Sequence, residues 1–320
     1  MKVKGEAQLI SSRDICVVIP TAGERTEALF RAIDSALEQS EICGEVIVVW
    51  DSDSKPPAGL EKAGKVKVIR NTSRSKGVAG ARNSGILETR LTYIALLDDD
   101  DYWLPQKIGD YVKAINQKHG ECFYISRGKF VEPSGYVLGI FPSKRFREGV
   151  TLSTYLNNNF FMRRRRVSIP TSSYVFPRQG PKGLNLFNEE IFLAEDLLLL
   201  LQLDQRMPFQ IVGNDALCVT TIYKNSKEGL SRRSIHFDEW LKIQENYFSF
   251  LGTRQFANST LYFGIRHFRA SHNLINTLKW YLTNIWKNVD FVTIVSTAGW
   301  LVANEFTALY GVVFRSRAKR

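Results

Sequence analysis

The sequence predicts an α/β fold with a mostly parallel central sheet flanked by helices, followed by a mainly helical C-terminal region. Three observations predict it. Short β-branched runs alternate with helix-like stretches over residues 14–110, each run ends in polar residues, and residues 246–289 turn aromatic and basic with no acidic residue. With 320 residues, 44% of them hydrophobic, the chain buries one large core or two modest ones, which excludes a disordered or fibrous protein.

Residues 15–19 (ICVVI) read as a buried strand that stops at Pro20-Thr21. In residues 26–39, Leu29, Ile33 and Leu37 recur at fourfold spacing beside Ala28, Ala32 and Ala36, so the segment reads as a helix over the sheet with Thr26 as its N-cap. Residues 45–50 (EVIVVW), 66–70 (VKVIR) and 93–97 (YIALL) read as three more buried strands, with a helix over 77–89 before the last. Right-handed crossovers then make the sheet parallel, and its ligand site lies beyond the carboxyl ends of the strands. The residues placed there are Pro20, Thr21, Asp51, Asn71 and the run Asp98 to Asp101.

Beyond residue 115 the pattern loosens, and Gly120, Gly128, Gly135 and Gly139 break it into short strand-like pieces. Residues 169–177 (IPTSSYVFP) read as an edge strand bounded by prolines, and residues 188–203 as a helix capped by Asn188. A boundary between residues 222 and 240 divides a first domain, 1–230, from a helical region, 231–320; the first domain has halves of about 14–115 and 116–230. Within 291–314 the uninterrupted apolar part, 291–303, is too short to span a bilayer as a helix.

Lysine and arginine number 43 against 32 acidic residues, a formal charge of +11 that calls for an anionic partner. Arg163 to Arg166 come with no nucleic-acid-binding motif, which argues against nucleic acid as that partner. Cys16, Cys43, Cys122 and Cys218 lack the close spacing of a zinc knuckle or redox pair, and the first 14 residues hold no apolar run of signal-peptide length. Both features fit a reduced, cytoplasmic setting. In the last 65 residues, tryptophans mixed with basic residues leave open a peripheral contact with an anionic membrane, a helical cap, or a homodimer surface.

The chemistry concentrates in Leu97-Asp98-Asp99-Asp100-Asp101-Tyr102-Trp103-Leu104-Pro105. Four adjacent carboxylates after a buried strand repel one another unless a cation or a set of donors offsets them. Mg²⁺ and Mn²⁺ take carboxylate oxygens and keep places for substrate phosphates, so metal plus phosphate is the predicted ligand. An acidic turn capping the next helix is the alternative. Glu195-Asp196, at the head of a leucine-rich helix, is the second chemical element.

Val17-Val18-Ile19-Pro20-Thr21 with Arg25, then Glu45 to Asp51, then Gly77 to Ile86, then Tyr93 to Pro105 together resemble the nucleotide-sugar-binding half of glycosyltransferase family 2, which has the GT-A fold. The resemblance is close over residues 14–110 and looser to about 235. It departs at Trp50-Asp51-Ser52-Asp53, where the family's first acid and glycine are missing.

The resemblance implies that Pro20, Thr21 and Arg25 hold the nucleoside, Asp51 the nucleobase, and Lys76, Gly77 and Arg82 the diphosphate. It makes Asp98 to Asp100 a DxD element, with Asp98 and Asp99 toward ribose or sugar. Asp100, Asp98 and His236 become ligands to Mn²⁺ or Mg²⁺. Arg232 and Arg233 then close over the diphosphate, Asp196 acts as general base and Glu195 supports it. The implied activity is inverting transfer of a sugar from a nucleoside-diphosphate donor, a UDP-sugar, to a hydroxyl of a saccharide or lipid-linked acceptor in surface polysaccharide or glycolipid synthesis. The implied place is the cytoplasm or the cytoplasmic face of the membrane. The competing readings are a nucleotidyltransferase acting on a sugar phosphate and a non-catalytic basic adaptor; Asp98 to Asp101 and Glu195-Asp196 weigh against the adaptor, which has no use for them.

Overall fold

The computed structural model describes residues 9–118, 122–142, 146, 169–179, 187–191 and 195–222. These all fall in the unit formed by Met1–Leu156 and Arg165–Ser231. The sequence features at Arg163 to Arg166, Arg232, Arg233, His236 and the C-terminal region lie outside the described residues. Among the described residues, no helix is long and apolar enough to cross a membrane.

The strands are β1 (Ile15–Thr21), β2 (Glu45–Trp50), β3 (Lys67–Arg70), β4 (Tyr93–Leu96), β5 (Asp101–Trp103), β6 (Phe123–Val131), β7 (Val137–Phe141), β8 (Val175–Pro177) and β9 (Phe209–Thr221). The helices are α1 (Thr26–Leu37), α2 (Val78–Glu88), α3 (Lys107–Lys118) and α4 (Glu195–Asp204). One sheet orders the strands β3-β2-β1-β4-β8-β6-β9-β5, with β7 on β6. β1, β2, β3 and β4 run parallel, β8 runs antiparallel to β4 and β6, and β5 runs antiparallel to β9. The alternating strands and helices form the α/β architecture predicted, with β5, β7 and β8 adding antiparallel pairings to the parallel ones.

Continuous apolar runs in β1 and β2 follow from burial on both faces. Ile15, Val17 and Ile19 join Leu29 and Ile33 of α1 and Ile108, Tyr111 and Ile115 of α3 in one core. Val18 and Val49 face α2, whose Gly85 packs so closely that an added Cβ would fall 2.4 Å from Val18 Cγ1 and 3.0 Å from Val49 Cγ2. Alanine at that position gains about 1 kcal/mol of helix propensity but overpacks at a cost of about 1–3 kcal/mol. The struck methyls belong to β-branched valines with little rotamer freedom, so overpacking wins. Gly85→Ala is therefore expected to lower the melting temperature, and a thermal melt at or above wild type would contradict this packing.

Several local expectations are corrected. β1 runs through Pro20 to Thr21 instead of stopping before them. Val18 accepts from Leu97 N–H while Thr21 accepts from Asp51 N–H, so the alternation points Pro20's backbone toward β4, beyond the end of the β1–β4 pairing at Val18–Leu96. Its missing N–H thus breaks no ladder. The residue before α1 is Arg25, not Thr26, and its side chain makes no capping bond. Residues 67–70 form a partly exposed strand on the sheet margin instead of a buried one.

The IPTSSYVFP segment divides into a 3₁₀ turn, Thr171–Ser173, and the short strand β8, which lies inside the sheet between β4 and β6 instead of at its edge. The helix predicted from Asn188 starts at Glu195; Asn188 Oδ1 instead accepts from Glu190 N–H at 3.0 Å in a turn. Cys16, Cys43, Cys122 and Cys218 are buried and form no disulfide among the described residues.

Candidate active site

The carboxyl ends of β1, β2 and β4 deliver Thr21, Asp51 and the run from Asp98. The chain then leaves β4 and enters β5, which pairs with β9 at the opposite end of the sheet. Asp98 to Asp100 therefore lie on the crossing between those two strands, and their four-acid run divides among separate partners.

Arg82, 3% exposed, donates from one guanidinium nitrogen to Asp98 Oδ1 at 2.7 Å and from another to Glu195 Oε1 at 2.6 Å. Its face lies over the Phe187 ring, 5.0 Å from the centroid. Burial opposes its charge, yet Asp98 and Glu195 outweigh burial and raise its pKa, so it stays cationic. Glu195 moves the other way: burial first, then the neighbouring Asp196 charge, lift its pKa above the usual carboxylate range despite Arg82.

Asp99 accepts from Thr21 Oγ1 at 2.6 Å and from Arg25 at 2.8 Å, and burial pushes its pKa up to about 6. Arg25 also pairs with Asp100, and Arg31 donates to the Asp100 carbonyl at 3.1 Å. Asp101 is buried; Ser172 and Thr220 donate to Oδ2 at 2.5 and 3.0 Å, and Oδ1 has no partner among the described residues. Burial, with the Asp100 and Asp98 charges, holds its pKa well above the ordinary range.

Asp98 and Asp100 keep side-chain exposures of 28% and 27%, against 7% for Asp99, and each commits an oxygen to an arginine. Two partly open carboxylates suit Mg²⁺ or Mn²⁺, which commonly use one or two carboxylates plus phosphate oxygens and water. Among the described residues no three acidic, histidine or cysteine side chains converge into a metal cluster.

Asp196 Oδ2 accepts from Thr171 Oγ1 at 3.0 Å and Oδ1 from Leu197 N–H at 2.8 Å. Arg82 thus ties the end of β4 to the head of α4, bringing the two chemical elements of the sequence to one place. Asp51 is half-buried; it accepts from Asn71 at 2.9 Å and from Gly77 N–H at 2.6 Å, which anchors the start of α2. Lys76 is exposed and pairs with Asp53 at 2.7 Å. Gly23, at φ +79°, lies so close to Trp50 that a Cβ would fall 2.5 Å from the indole, so only glycine fits the loop after β1. Trp103 is buried, its indole N–H donating to the Ser172 carbonyl at 2.8 Å, which makes it a core anchor.

Sequence reasoning missed Thr171, Ser172 and Glu189. Glu189 accepts from Ser73 and, at 2.8 Å, from Asn83, pinning residues 187–191 to α2. The hydroxyl run Thr171-Ser172-Ser173 between apolar neighbours was the available signal, since buried hydroxyls need partners.

Residues 16–173 match the family model described as Glycosyl transferase family 2. Among curated relatives, the Escherichia coli UDP-Glc:alpha-D-GlcNAc-diphosphoundecaprenol beta-1,3-glucosyltransferase WfaP is 28% identical over 133 residues, 41% of this chain and 52% of that protein. The succinoglycan biosynthesis protein ExoO of Rhizobium meliloti is 28% identical over 193 residues, 58% and 54% of the two chains. The chain spans about half the length of these two relatives. Among solved structures, S. aureus TarS 1–349 in complex with UDP-GlcNAc superposes with a TM-score of 0.61 at 18% identity, covering 85% of this chain and 81% of that one, a likeness of fold.

Proposed function

Since the chain belongs to glycosyltransferase family 2, we propose that it transfers a sugar with inversion from a UDP-sugar to a hydroxyl of a saccharide or lipid-linked acceptor. The product would be part of a surface polysaccharide or glycolipid, made at the cytoplasmic face of the membrane. The observation that carries this reading is the Arg82 bridge between Asp98 and Glu195, because it sets a cation-demanding acidic loop beside a second pair of carboxylates. The relatives named for UDP-Glc transfer and for succinoglycan biosynthesis, and the fold shared with a UDP-GlcNAc-bound neighbour, support the donor and acceptor classes.

Asp98 and Asp100 would hold Mn²⁺ or Mg²⁺, His236 adding a ligand; the metal would offset the charge that builds on the leaving diphosphate. Thr21 and Arg25 would flank the nucleoside with Pro20 beside them, and Asp51 with its spare lone pairs would face the base. Lys76, Gly77, Arg82, Arg232 and Arg233 would line the diphosphate. Asp196 would take the acceptor hydroxyl's proton while that oxygen attacks the anomeric carbon opposite the diphosphate. One displacement inverts the configuration.

A panel of UDP-, GDP- and dTDP-sugars with Mn²⁺ tests the donor assignment. At about 100 times its Kd a matching donor adds ~2.7 kcal/mol, which raises the melting temperature by roughly 5–10 °C. The expected result is a shift with UDP-sugars that Asp100→Asn diminishes. No shift with any donor, with or without metal, would overturn the proposal.

A further inference from the structure

The acidic loop and the proposed base are both fastened to one 3₁₀ turn, Thr171–Ser173. Ser172 Oγ accepts from Asp98 N–H at 3.0 Å and donates to Asp101 Oδ2 at 2.5 Å, so one hydroxyl grips both ends of the four-residue acidic run. The next residue back, Thr171, donates from Oγ1 to Asp196 Oδ2 at 3.0 Å. The turn is itself firmly mounted: the Ser172 carbonyl accepts from Trp103 Nε1 at 2.8 Å, the Ser173 carbonyl from the Tyr111 hydroxyl, and the Tyr174 carbonyl from Leu96 N–H at 3.1 Å. Ser172 and Ser173 are fully buried and Thr171 nearly so, which limits the competition of water for these bonds.

We propose that Thr171 and Ser172 are positioning residues that fix the base, Asp196, relative to the metal-and-diphosphate loop Asp98 to Asp101. The inference rests on the reading of Asp196 as base. Its physical content is division of labour across one peptide bond. Thr171 sets where the proton acceptor points, which matters as bonds change, whereas Ser172 sets where the donor's diphosphate end lies, which matters on binding.

The two residues therefore have different kinetic signatures. Thr171→Val should lower kcat by roughly 10- to 100-fold, the cost of misplacing a reacting group, with donor Kd within about twofold of wild type. Thr171→Ser, which restores the hydroxyl, should recover most of that loss. Ser172→Ala should raise donor Kd in the presence of Mn²⁺ by roughly tenfold, because it orphans the Asp98 amide and takes one of two donors from Asp101 Oδ2. In an Asp196→Asn background, Thr171→Val should add no further loss of kcat, as for residues that act as a unit.

Steady-state kinetics, donor titration calorimetry and thermal melts on the full chain read all of these. Wild-type kcat for Thr171→Val, or failure of Thr171→Ser to recover a loss, overturns the role of Thr171. An unchanged donor Kd for Ser172→Ala overturns that of Ser172. If Asp196→Asn is impaired while Thr171→Val turns over at the wild-type rate, the positioning inference fails alone. If Asp196→Asn turns over normally, the reading of the base fails with it.

Discussion

Asp196→Asn is expected to lower turnover by about 10²- to 10⁴-fold, the usual contribution of a positioned general base, while donor affinity stays within about twofold. The carboxamide has nearly the shape of the carboxylate but takes up no proton from an acceptor hydroxyl. Its oxygen can keep Leu197 N–H while its NH₂ donates to Thr171 Oγ1, so at most about 1 kcal/mol is lost, too little to unfold the domain.

Glu195 is the nearest competitor for the role, and its environment argues against it. It is 7% exposed and locked to Arg82 at 2.6 Å, leaving it little freedom to approach an acceptor. Nucleoside-diphosphate release on mixing donor and acceptor, with donor binding measured by calorimetry, decides the matter. Turnover above about a tenth of wild type in Asp196→Asn would remove Asp196 as base.

The parallel half of the sheet was legible because each of its strands is a short apolar run buried on both faces, ended by polar residues. The acidic loop was legible for the same reason: four aspartates straight after a buried apolar strand contrast sharply with its interior. What escaped was set by tertiary contact instead of local pattern. Pro20 stays in β1 only because β4 ends two residues earlier, a fact no local rule contains. Arg25 occupies the capping position because its side chain is needed by Asp99 and Asp100, far along the chain. β8 has three residues, the last of them Pro177, and follows Pro170 closely, which locally marks an edge, yet antiparallel partners on both sides put it inside. The site residues were mostly foreseen as types, but how they share partners was not: Asp99 spends both oxygens on Thr21 and Arg25, and Asp51 divides its two between Asn71 and the Gly77 N–H at the start of α2.

Arg82→Met should cost the fold about 3–5 kcal/mol, the range for removing one partner of a buried ionic network. The side chain is 3% exposed, so solvent screening does little to reduce the figure. Methionine fills much of the same volume over Phe187, and the loss therefore reports the charge: Glu195 and Asp98 lose the cation they share. The remedy open to the variant is to protonate Glu195, whose carboxyl burial and Asp196 already push upward even with Arg82 in place.

The sign follows from proton linkage. A carboxyl with a folded pKa above its unfolded value binds more protons in the native state, so stability is greatest below the unfolded pKa and falls as pH rises through the folded one. The deficit of Arg82→Met should thus be smaller at pH 5 than at pH 7.5. Wild type itself should melt lower at pH 7.5 than at pH 5.5, since Asp99 and Asp101 are also shifted upward. Arg82→Lys keeps the charge but not the fork that reaches two carboxylates at once, and should fall between the two. Thermal melts across that pH range check the pattern. An equal loss at both ends would mean that Arg82 stabilises by packing alone, and that the acidic loop and the head of α4 are not joined through its charge.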